Sequence, residues 1–371
     1  MYISVFMGPA SLTPAEDAPL IDLCIEQAVQ AAEAGFCLVT FGEQHFNSYE
    51  PYCNPFMMAA RLAPELGQAY FGTTIVPLPL NHPLRVAENA SLADVLLKGR
   101  FLLGLSAGRV GFSPDFANFG VDPADRDAAF DSKLDFLLRA LAHRPGDEPI
   151  IMDTPWDKGS LIGRLMPVSH RAGGPQIAIG TNTDATIERF AKLGWPLFLG
   201  PCHPMQAAAK LRLHREAMAA AGITGAAYDD AVAKSFVTRH VIVGGSEEEA
   251  WERAEALVGR APMMDRSQDP RSLRELSTAE IDLSAMHDAR NRNAAFVQSW
   301  VIAGAPDSVT EQILGYERLG IGHLNTRFTV GTYQPDHIRA SFGLFAKEVL
   351  PNLAPRYFDG PAQIRFTPEG A

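Results

Sequence analysis

The segment 180–186, GTNTDAT, places three threonine hydroxyls and one side-chain amide around the start of a predicted helix. A helix N-terminus exposes free backbone N–H groups and the positive end of the helix dipole, so it attracts phosphate. The candidate phosphate contacts are Gly180, Thr181, Asn182, Thr183 and Thr186. Helix capping is the alternative, because Thr183 or Asp184 is a good N-cap residue.

A glycine-bearing loop and two arginines are further candidates for phosphate contacts. The stretch 106–109, SAGR, follows a predicted buried strand, and such loops hold phosphates and cofactors in parallel α/β proteins. Arg109 ends this loop, and Arg126 begins a predicted helix. A guanidinium fork fits phosphate oxygens, so either arginine is a candidate contact. The alternative for each is a surface salt bridge.

Proton transfer is the chemistry indicated by the segment 43–46, EQHF, which follows another predicted strand. A histidine at a strand end can transfer protons near neutral pH, and His45 is the candidate. The alternative is a structural hydrogen-bonding histidine, which is the commoner role.

Composition and charge exclude several other classes. The net charge of −11 argues against nucleic acid or an anionic membrane as the main partner. No apolar window is long enough for a membrane helix, and the N-terminus lacks a signal-peptide pattern. No metal site is predicted, because the histidines show no H-x-H or H-E-x-x-H spacing and the four cysteines form no C-x-x-C pair. Free thiols in a reducing cytoplasm are expected.

The elements that must position these residues alternate between strand and helix. Eight short apolar runs predict strands at Tyr2–Met7, Cys37–Phe41, Tyr70–Val76, Phe101–Leu105, Gln176–Ile179, Pro196–Leu199, Lys234–Val243 and Gly322–Phe328. Predicted helices are Leu20–Ala34, Pro55–Ala63, Pro83–Lys98, Arg126–Ala142, Asp184–Leu193, Met205–Ala221, Glu247–Gly259, Ala294–Ile302, Ser308–Leu319 and Asp336–Leu350. Continuous apolar runs are typical of strands buried on both faces. The pattern predicts a (β/α)8 TIM barrel in one domain, residues 1–371. A doubly wound sheet in two domains is the alternative.

Two irregular stretches interrupt this alternation, at residues 146–174 and 260–293. We interpret them as insertions into βα loops after strands 4 and 7, the first with a hairpin. Long irregular stretches in a compact domain tend to be functional or disordered, so both are candidate lids. The tail after Pro355 is expected to lie on the surface or to fray.

Four segments together resemble the bacterial luciferase-like flavin monooxygenases. They are FGEQHFNSYEPYCNP (41–55), the block from GTTIVPLPLNHP to LLGLSAGR (72–109), GAPDSVTEQILGYERLGIGHLNTRF (304–328) and FAKEVLPNL (345–353). Each is weak alone, but their order and spacing along the chain make the match specific. The resemblance implies a TIM barrel, usually dimeric, that binds reduced FMN at the carboxyl ends of the strands. FMNH2 then meets O2 to form a flavin C4a-hydroperoxide, which oxygenates an organic substrate.

The resemblance also implies roles for individual residues. Arg126, Thr183 and Thr186 match phosphate-side contacts. Thr74 and Ile75 match the residues that back the isoalloxazine ring, where some members have a non-proline cis peptide bond.

Three positions depart from the luciferase pattern. Ser106 lies where luciferase has a reactive cysteine, and Gln44 lies where it has the acid/base histidine, so the catalytic candidates are His45, Gln44 and Ser106. Ala107 replaces the arginine expected in the glycine loop, and Arg109 follows two residues later. The phosphate contacts are therefore expected to be rearranged.

The function predicted from these observations is an FMNH2-dependent, two-component monooxygenase acting on a small hydrophobic organic substrate. The resemblance implies a separate NAD(P)H:flavin reductase and a homodimer, and the expected location is cytoplasmic. One alternative is an F420-dependent, hydride-transferring oxidoreductase on the same barrel. The other is a flavin-binding protein without turnover, motivated by Gln44 and Ala107.

Overall fold

The computed structural model describes residues 1–46, 49–108, 115–171, 173–258, 301–329 and 334–360. The strands are β1 (Tyr2–Phe6), β2 (Leu38–Phe41), β3 (Tyr70–Thr73), β4 (Val76–Pro77), β5 (Phe101–Ser106), β6 (Ile150–Asp153), β7 (Lys158–Leu161), β8 (Gln176–Gly180), β9 (Leu197–Leu199), β10 (Phe236–Val243), β11 (Val301–Gly304) and β12 (His323–Arg327). Parallel pairing runs around the ring β1, β2, β3, β5, β8, β9, β10 and β12, and β12 pairs with β1. The eight-stranded TIM barrel predicted from the sequence is confirmed.

Helices cover the outside of the barrel. They are α1 (Pro14–Ala34), α2 (Pro55–Leu62), α3 (Pro83–Leu96), α4 (Asp115–Asn118), α5 (Arg126–Ala142), α6 (Asp184–Ala191), α7 (Pro204–Ala220), α8 (Gly225–Lys234), α9 (Glu247–Val258), α10 (Pro306–Arg318) and α11 (Pro335–Leu344). Helix α1 begins six residues earlier than predicted, because Pro14 suits the first helical position and Glu16 and Asp17 favour the first turn. None of the helices in the described ranges is long and apolar enough to cross a membrane.

The helix predicted over 294–302 is wrong at its end. Val301 and Ile302 belong to β11, which pairs in parallel with the second half of β10 outside the barrel ring. A short apolar run such as Val-Ile-Ala has no periodicity that separates a buried strand from a buried helix. Residues 294–300 lie outside the described residues, as does the insertion predicted at 260–293.

The first insertion contains the predicted hairpin, formed by the antiparallel strands β6 and β7. It follows α5, however, so it belongs to a connection from helix to strand and not to a βα loop. Its apolar residues Ile150 and Met152 are buried in the core, and β6 packs against α5. These contacts place the hairpin against α5, and its role as a lid stays a prediction.

The inside of the barrel has its own apolar core, separate from the layer between strands and helices. Leu38, Leu102, Phe198 and Phe236 point into it. Phe358 closes the amino-terminal end, with its ring centroid 5.0 Å from that of Tyr2 and 5.3 Å from that of Tyr70. The prediction of a surface tail after Pro355 is wrong at Phe358, because this ring supplies the apolar cap that the open barrel end requires.

Candidate functional site

The predicted site residues follow strands that are neighbours in the barrel. The ring order β2, β3, β5, β8 brings together the segments 42–46, 74–77, 106–108 and 180–183 at the carboxyl ends of the strands. The register supports this, since Pro77 pairs with Ser106 and Leu105 pairs with Ile179. Adjacent strands thus deliver residues that lie more than a hundred positions apart in the chain to one end of the barrel.

Two glycines leave room for the segment Thr73–Ile75 at the end of the third barrel strand. A Cβ on Gly104 would lie 2.1 Å from the carbonyl oxygen of Thr73, and a Cβ on Gly180 would lie 2.6 Å from Cγ2 of Ile75. Both contacts are far inside van der Waals distance, so any side chain at either position would displace the Thr73–Ile75 backbone or side chains. Only glycine fits there.

The segment predicted to back a flavin ring has an unusual backbone. The peptide bond between Thr74 and Ile75 is cis, the feature to which the resemblance pointed. It separates β3 from β4, which the sequence predicted as one strand over Tyr70–Val76. Ile75 packs against the core inside the barrel.

Ser106 lies at the end of β5 and is partly exposed. Its hydroxyl oxygen accepts a hydrogen bond from the backbone N–H of Gly108 at 2.9 Å, so the serine stabilises the glycine loop that it begins. The next residue of the predicted phosphate set, Arg109, lies outside the described residues.

Glu43 and His45 form a pair on the loop after β2. Nε2 of His45 lies 3.0 Å from Oε1 of Glu43, and Nδ2 of Asn81 donates to the same oxygen at 2.7 Å. A carboxylate only accepts hydrogen bonds, so Nε2 carries the proton and the neutral imidazole has its lone pair on Nδ1. The geometry provides a histidine oriented by an acid, the arrangement used for general acid and base chemistry. Gln44 lies between them and is partly exposed.

A second buried carboxyl group lies beside this loop. Glu50 is 5% exposed, and its Oε2 has no hydrogen-bond partner among the described residues. Burial raises the pKa of Glu50 to about 8, Arg327 opposes the rise, and Glu43 and Asp115 add to it. Near neutral pH this group can therefore hold a proton at the edge of the site.

The loop 180–183 leaves the first turn of α6 open. Thr183 occupies the N-cap position, but its side chain makes no capping bond in the described structure. The hydroxyl of Thr181 accepts from the backbone N–H of Thr183 at 3.0 Å, while Asn182 and Thr183 are exposed. Thr183 therefore occupies the N-cap position of the capping alternative but lacks its side-chain bond, so the N–H groups of the first turn can donate to an anion. Thr186, one turn further, is partly exposed.

A cation that the sequence did not indicate lies beside this loop. Nζ of Lys210, on α7, lies 2.5 Å from Oδ1 of Asp184 in the first turn of α6. Arg126 begins the adjacent helix α5, and its guanidinium pairs with Asp127 at 2.9 Å. The surface salt bridge given as the alternative therefore describes Arg126 in this structure.

Three residues beside the site were not among the sequence candidates, namely Asn81, Glu50 and Lys210. Lys210 and Asn81 lie on elements whose approach to the site depends on tertiary packing, so no local signal marks them. Glu50 lies within the segment 41–55 that resembles the family, but the sequence does not show that its side chain is buried. In the described ranges, no group of three or more His, Cys, Asp or Glu side chains could hold a metal ion.

Comparisons with known proteins agree with this architecture. One relative, 4-hydroxyprotoasukamycin monooxygenase of Streptomyces nodosus subsp. asukaensis, is 28% identical over 365 residues, covering 94% of this chain and 91% of the relative. Several other relatives match over less than half of their own length.

Two solved structures share the fold. The oxygenating constituent of 3,6-diketocamphane monooxygenase of Pseudomonas putida, in complex with FMN, has a TM-score of 0.71 at 19% identity, covering 95% of this chain and 98% of that chain. An F420-dependent secondary alcohol dehydrogenase, in complex with an F420-acetone adduct, has a TM-score of 0.68 at 16% identity with the same coverage of both chains. At these identities the likeness shows the fold alone.

The family model described as luciferase-like monooxygenase matches residues 2–323, most of the chain. This match confirms the resemblance found in the sequence segments. The chain therefore belongs to the luciferase-like monooxygenase family of flavin-dependent enzymes.

Proposed function

We propose that this protein is an FMNH2-dependent monooxygenase that oxygenates a small hydrophobic organic substrate. The observation that carries the proposal is that the Glu43–His45 pair and the open N-terminus of α6 lie at one end of the barrel. The first can move a proton, and the second can hold a phosphate.

The residues present fit a flavin mononucleotide. Its phosphate requires donors, and the uncapped first turn of α6 offers them beside the ammonium group of Lys210. Thr181, Asn182, Thr183 and Thr186 would add hydroxyl and amide contacts, and Gly180 keeps the loop against Ile75. The Thr74–Ile75 segment and Ser106 would lie along the ring. When bound, reduced FMN supplies the electrons that let O2 react with an organic molecule.

The chain's own residues supply proton transfer and orientation. Glu43 holds His45 through Nε2, so Nδ1 is the atom that accepts or returns a proton. Glu43 also stabilises the imidazolium that forms when His45 takes up a proton. Gln44 and the Ser106 hydroxyl are polar groups at the same rim, and we assign them to orienting the substrate or the cofactor.

An aromatic surface beside His45 supports a hydrophobic substrate. The ring centroid of Phe119 lies 4.8 Å from that of His45 and 5.9 Å from that of Phe46. Phe46 is 72% exposed. Exposed aromatic rings next to polar groups are typical of ligand sites, where they exclude water from the reacting atoms.

The experiment is an anaerobic titration with FMNH2, followed by oxygen consumption and product analysis over a panel of aldehydes, cyclic ketones and phenols. His45→Gln should bind FMNH2 like the wild type but release peroxide without oxygenating substrate, whereas the exposed His337→Gln should behave as wild type. A dissociation constant for FMNH2 of about 1 mM or higher would contradict the proposal. Tight binding with peroxide release on every substrate would instead support a flavin-binding protein without turnover.

F420 is the second candidate cofactor, favoured by the likeness to an F420-dependent dehydrogenase. Reduced F420 does not react readily with O2, so it would serve hydride transfer instead of oxygenation. Parallel titrations with FMN and F420 separate the two candidates. Preference for F420, together with substrate reduction or oxidation in the absence of O2, would replace the monooxygenase proposal.

Two partners belong to the proposal. A separate NAD(P)H:flavin reductase would supply FMNH2, which predicts that turnover depends on an added reductase when NAD(P)H is the electron source.

A homodimer is supported by exposed apolar side chains on α3 and on the part of the insertion bound to it through Ser91 and Ser169. These side chains are Leu92, Val95, Leu96, Met166 and Val168. Sedimentation of the wild type and of Leu92→Glu tests the dimer.

A further inference from the structure

We propose that Asn81, held in place by the buried Lys133–Asp157 ion pair, is a positioning residue that fixes the orientation and tautomer of His45 through Glu43. This inference deepens the proposed function and rests on the role given there to His45. It adds residues of the helix α5 and of the hairpin insertion to the site, although neither reaches the reacting atoms.

Asn81 connects three parts of the site. Its Nδ2 donates to Oε1 of Glu43 at 2.7 Å and to the carbonyl oxygen of Pro77 at 3.2 Å. Pro77 lies in β4, directly after the segment that would back the flavin ring. The side-chain amide thus fixes the Glu43 carboxylate relative to that segment, and Glu43 in turn binds Nε2 of His45 at 3.0 Å.

The backbone of Asn81 is held from the other side. Nζ of Lys133, on α5, donates to the carbonyl oxygen of Asn81 at 2.9 Å and to Oδ1 of Asp157 at 3.2 Å. The side chains of Lys133 and Asp157 are 6% and 4% exposed. Asp157 belongs to the turn between β6 and β7, so this contact links the hairpin insertion to the site.

A buried ion pair is weak evidence for stability, because desolvation of the two charges offsets most of their attraction. A pair of apolar residues would fill the same space at no such cost. The contact between Lys133 and the carbonyl oxygen of Asn81 gives the ion pair a positioning role, which a contribution to stability does not explain. The ammonium group holds the backbone carbonyl of Asn81, two residues before α3. It thereby fixes the side-chain amide of Asn81, which orients the Glu43 carboxylate.

The consequence for His45 is a single neutral tautomer. Oε1 of Glu43 accepts hydrogen bonds from both Asn81 and His45, so rotation of the carboxylate would break both bonds. While Asn81 holds it, Nε2 of His45 keeps the proton and Nδ1 keeps the lone pair. Without Asn81 the carboxylate can rotate, and the Nδ1–H tautomer becomes accessible.

The test is 15N NMR of histidine-labelled, cofactor-free protein, with His45→Gln used to assign the His45 signals among the ten histidines. Protonated and unprotonated ring nitrogens have well-separated 15N shifts, so the tautomer ratio is measured directly. Asn81→Ala removes the side chain, and Asn81→Asp keeps its shape but removes the N–H donor. We expect both to change the tautomer ratio about tenfold, the order of one hydrogen bond to a charged group. Asn352→Ala, an exposed asparagine near the C-terminus, is the matched control.

A second arm removes the distal support. Lys133→Met/Asp157→Asn removes both buried charges together, so neither is left unpaired, and thermal melting checks that it folds. We expect a smaller shift of the tautomer ratio in the same direction. A ratio equal to that of the wild type in Asn81→Asp or in the folded double variant overturns the proposal.

The readout keeps this inference separate from the proposed function, because the NMR samples contain no flavin. A protein that never binds FMNH2 but shows the tautomer shift loses the proposed function and keeps the positioning network. In active enzyme, the expected signature of Asn81→Asp is a kcat at least about tenfold lower with FMN affinity within twofold of wild type.

Discussion

Oε1 of Glu43 and Nε2 of His45 are 3.0 Å apart, and the two residues are separated by a single position in the chain. Both residues belong to the loop that follows β2. An acid that orients a histidine is a common device for proton transfer, because it fixes the ring and stabilises its charged form. This contact turns a segment that resembles a family motif into a specific chemical hypothesis.

Glu43→Gln tests that hypothesis. The amide keeps the size of the side chain but removes the negative charge that stabilises the imidazolium. We expect kcat to fall about 10- to 100-fold, and FMN affinity to stay within twofold. Steady-state kinetics and flavin titration measure both quantities. Glu65→Gln, which changes an exposed carboxylate paired with Arg61, is the control. A variant with wild-type kcat would remove Glu43 from the mechanism.

Gly180→Ala tests the close approach of the third and fifth barrel strands. Its Cβ would lie 2.6 Å from Cγ2 of Ile75, so the Thr74–Ile75 segment must shift. We expect a loss of about 1–3 kcal/mol in the free energy of unfolding and at least tenfold weaker FMN binding. Gly163→Ala, at a glycine with no neighbour within 4 Å of an added Cβ, should change neither. Wild-type FMN affinity in Gly180→Ala would mean that the flavin does not lie against Ile75.

Lys210→Ala tests the phosphate contacts. If the ammonium group lies beside the phosphate, the variant should bind FMN about five- to tenfold more weakly, while riboflavin, which lacks the phosphate, binds as before. Lys192→Ala removes an exposed lysine at the opposite end of the same helix, α6, and should leave both affinities unchanged. Equal weakening for FMN and riboflavin would show that Lys210 acts through the fold and not through the phosphate.

Glu50 predicts a pH dependence of stability. Burial raises its pKa from the ordinary 4.5 to about 8, so the folded state binds the proton more tightly than the unfolded state. The free energy of unfolding therefore falls as pH rises between these values, by up to about 1.4 kcal/mol per pH unit. Glu50→Gln should remove this part of the slope. Urea unfolding at several pH values from 5 to 8 measures it, with the exposed Glu88→Gln as the control. An identical slope in Glu50→Gln and wild type contradicts the prediction.

Phe358→Ala tests the closure of the amino-terminal end of the barrel. The ring is 6% exposed and contacts Tyr2, Tyr70 and His323, so its removal leaves a cavity. We expect a loss of about 3–5 kcal/mol in the free energy of unfolding with unchanged FMN affinity, because the proposed flavin site is at the other end of the barrel. The neighbouring, more exposed Tyr357→Ala should cost much less. Loss of FMN binding in folded Phe358→Ala would contradict the separation of the two ends.

The barrel could be predicted from the sequence because its signal is local and repeated. Each strand is a short apolar run with a helix after it, and most predicted boundaries lie within two residues of the observed ones. Two elements were not predicted correctly. Val301–Gly304 is too short for periodicity to identify, and α8 (Gly225–Lys234) went unnoticed before a strand predicted to begin at Lys234.

The candidate site was only partly predictable. Polar residues directly after buried apolar runs are visible in the sequence, and they predict that His45, Ser106 and the loop 180–186 meet at one end of a barrel. The atoms that face each other there could be identified from the three-dimensional packing alone. Asn81 reaches Glu43, and Lys210 reaches Asp184, because separate elements pack together at distances that depend on the whole barrel. Local patterns encode the ends of strands, whereas contacts between elements depend on the packing of every layer between them.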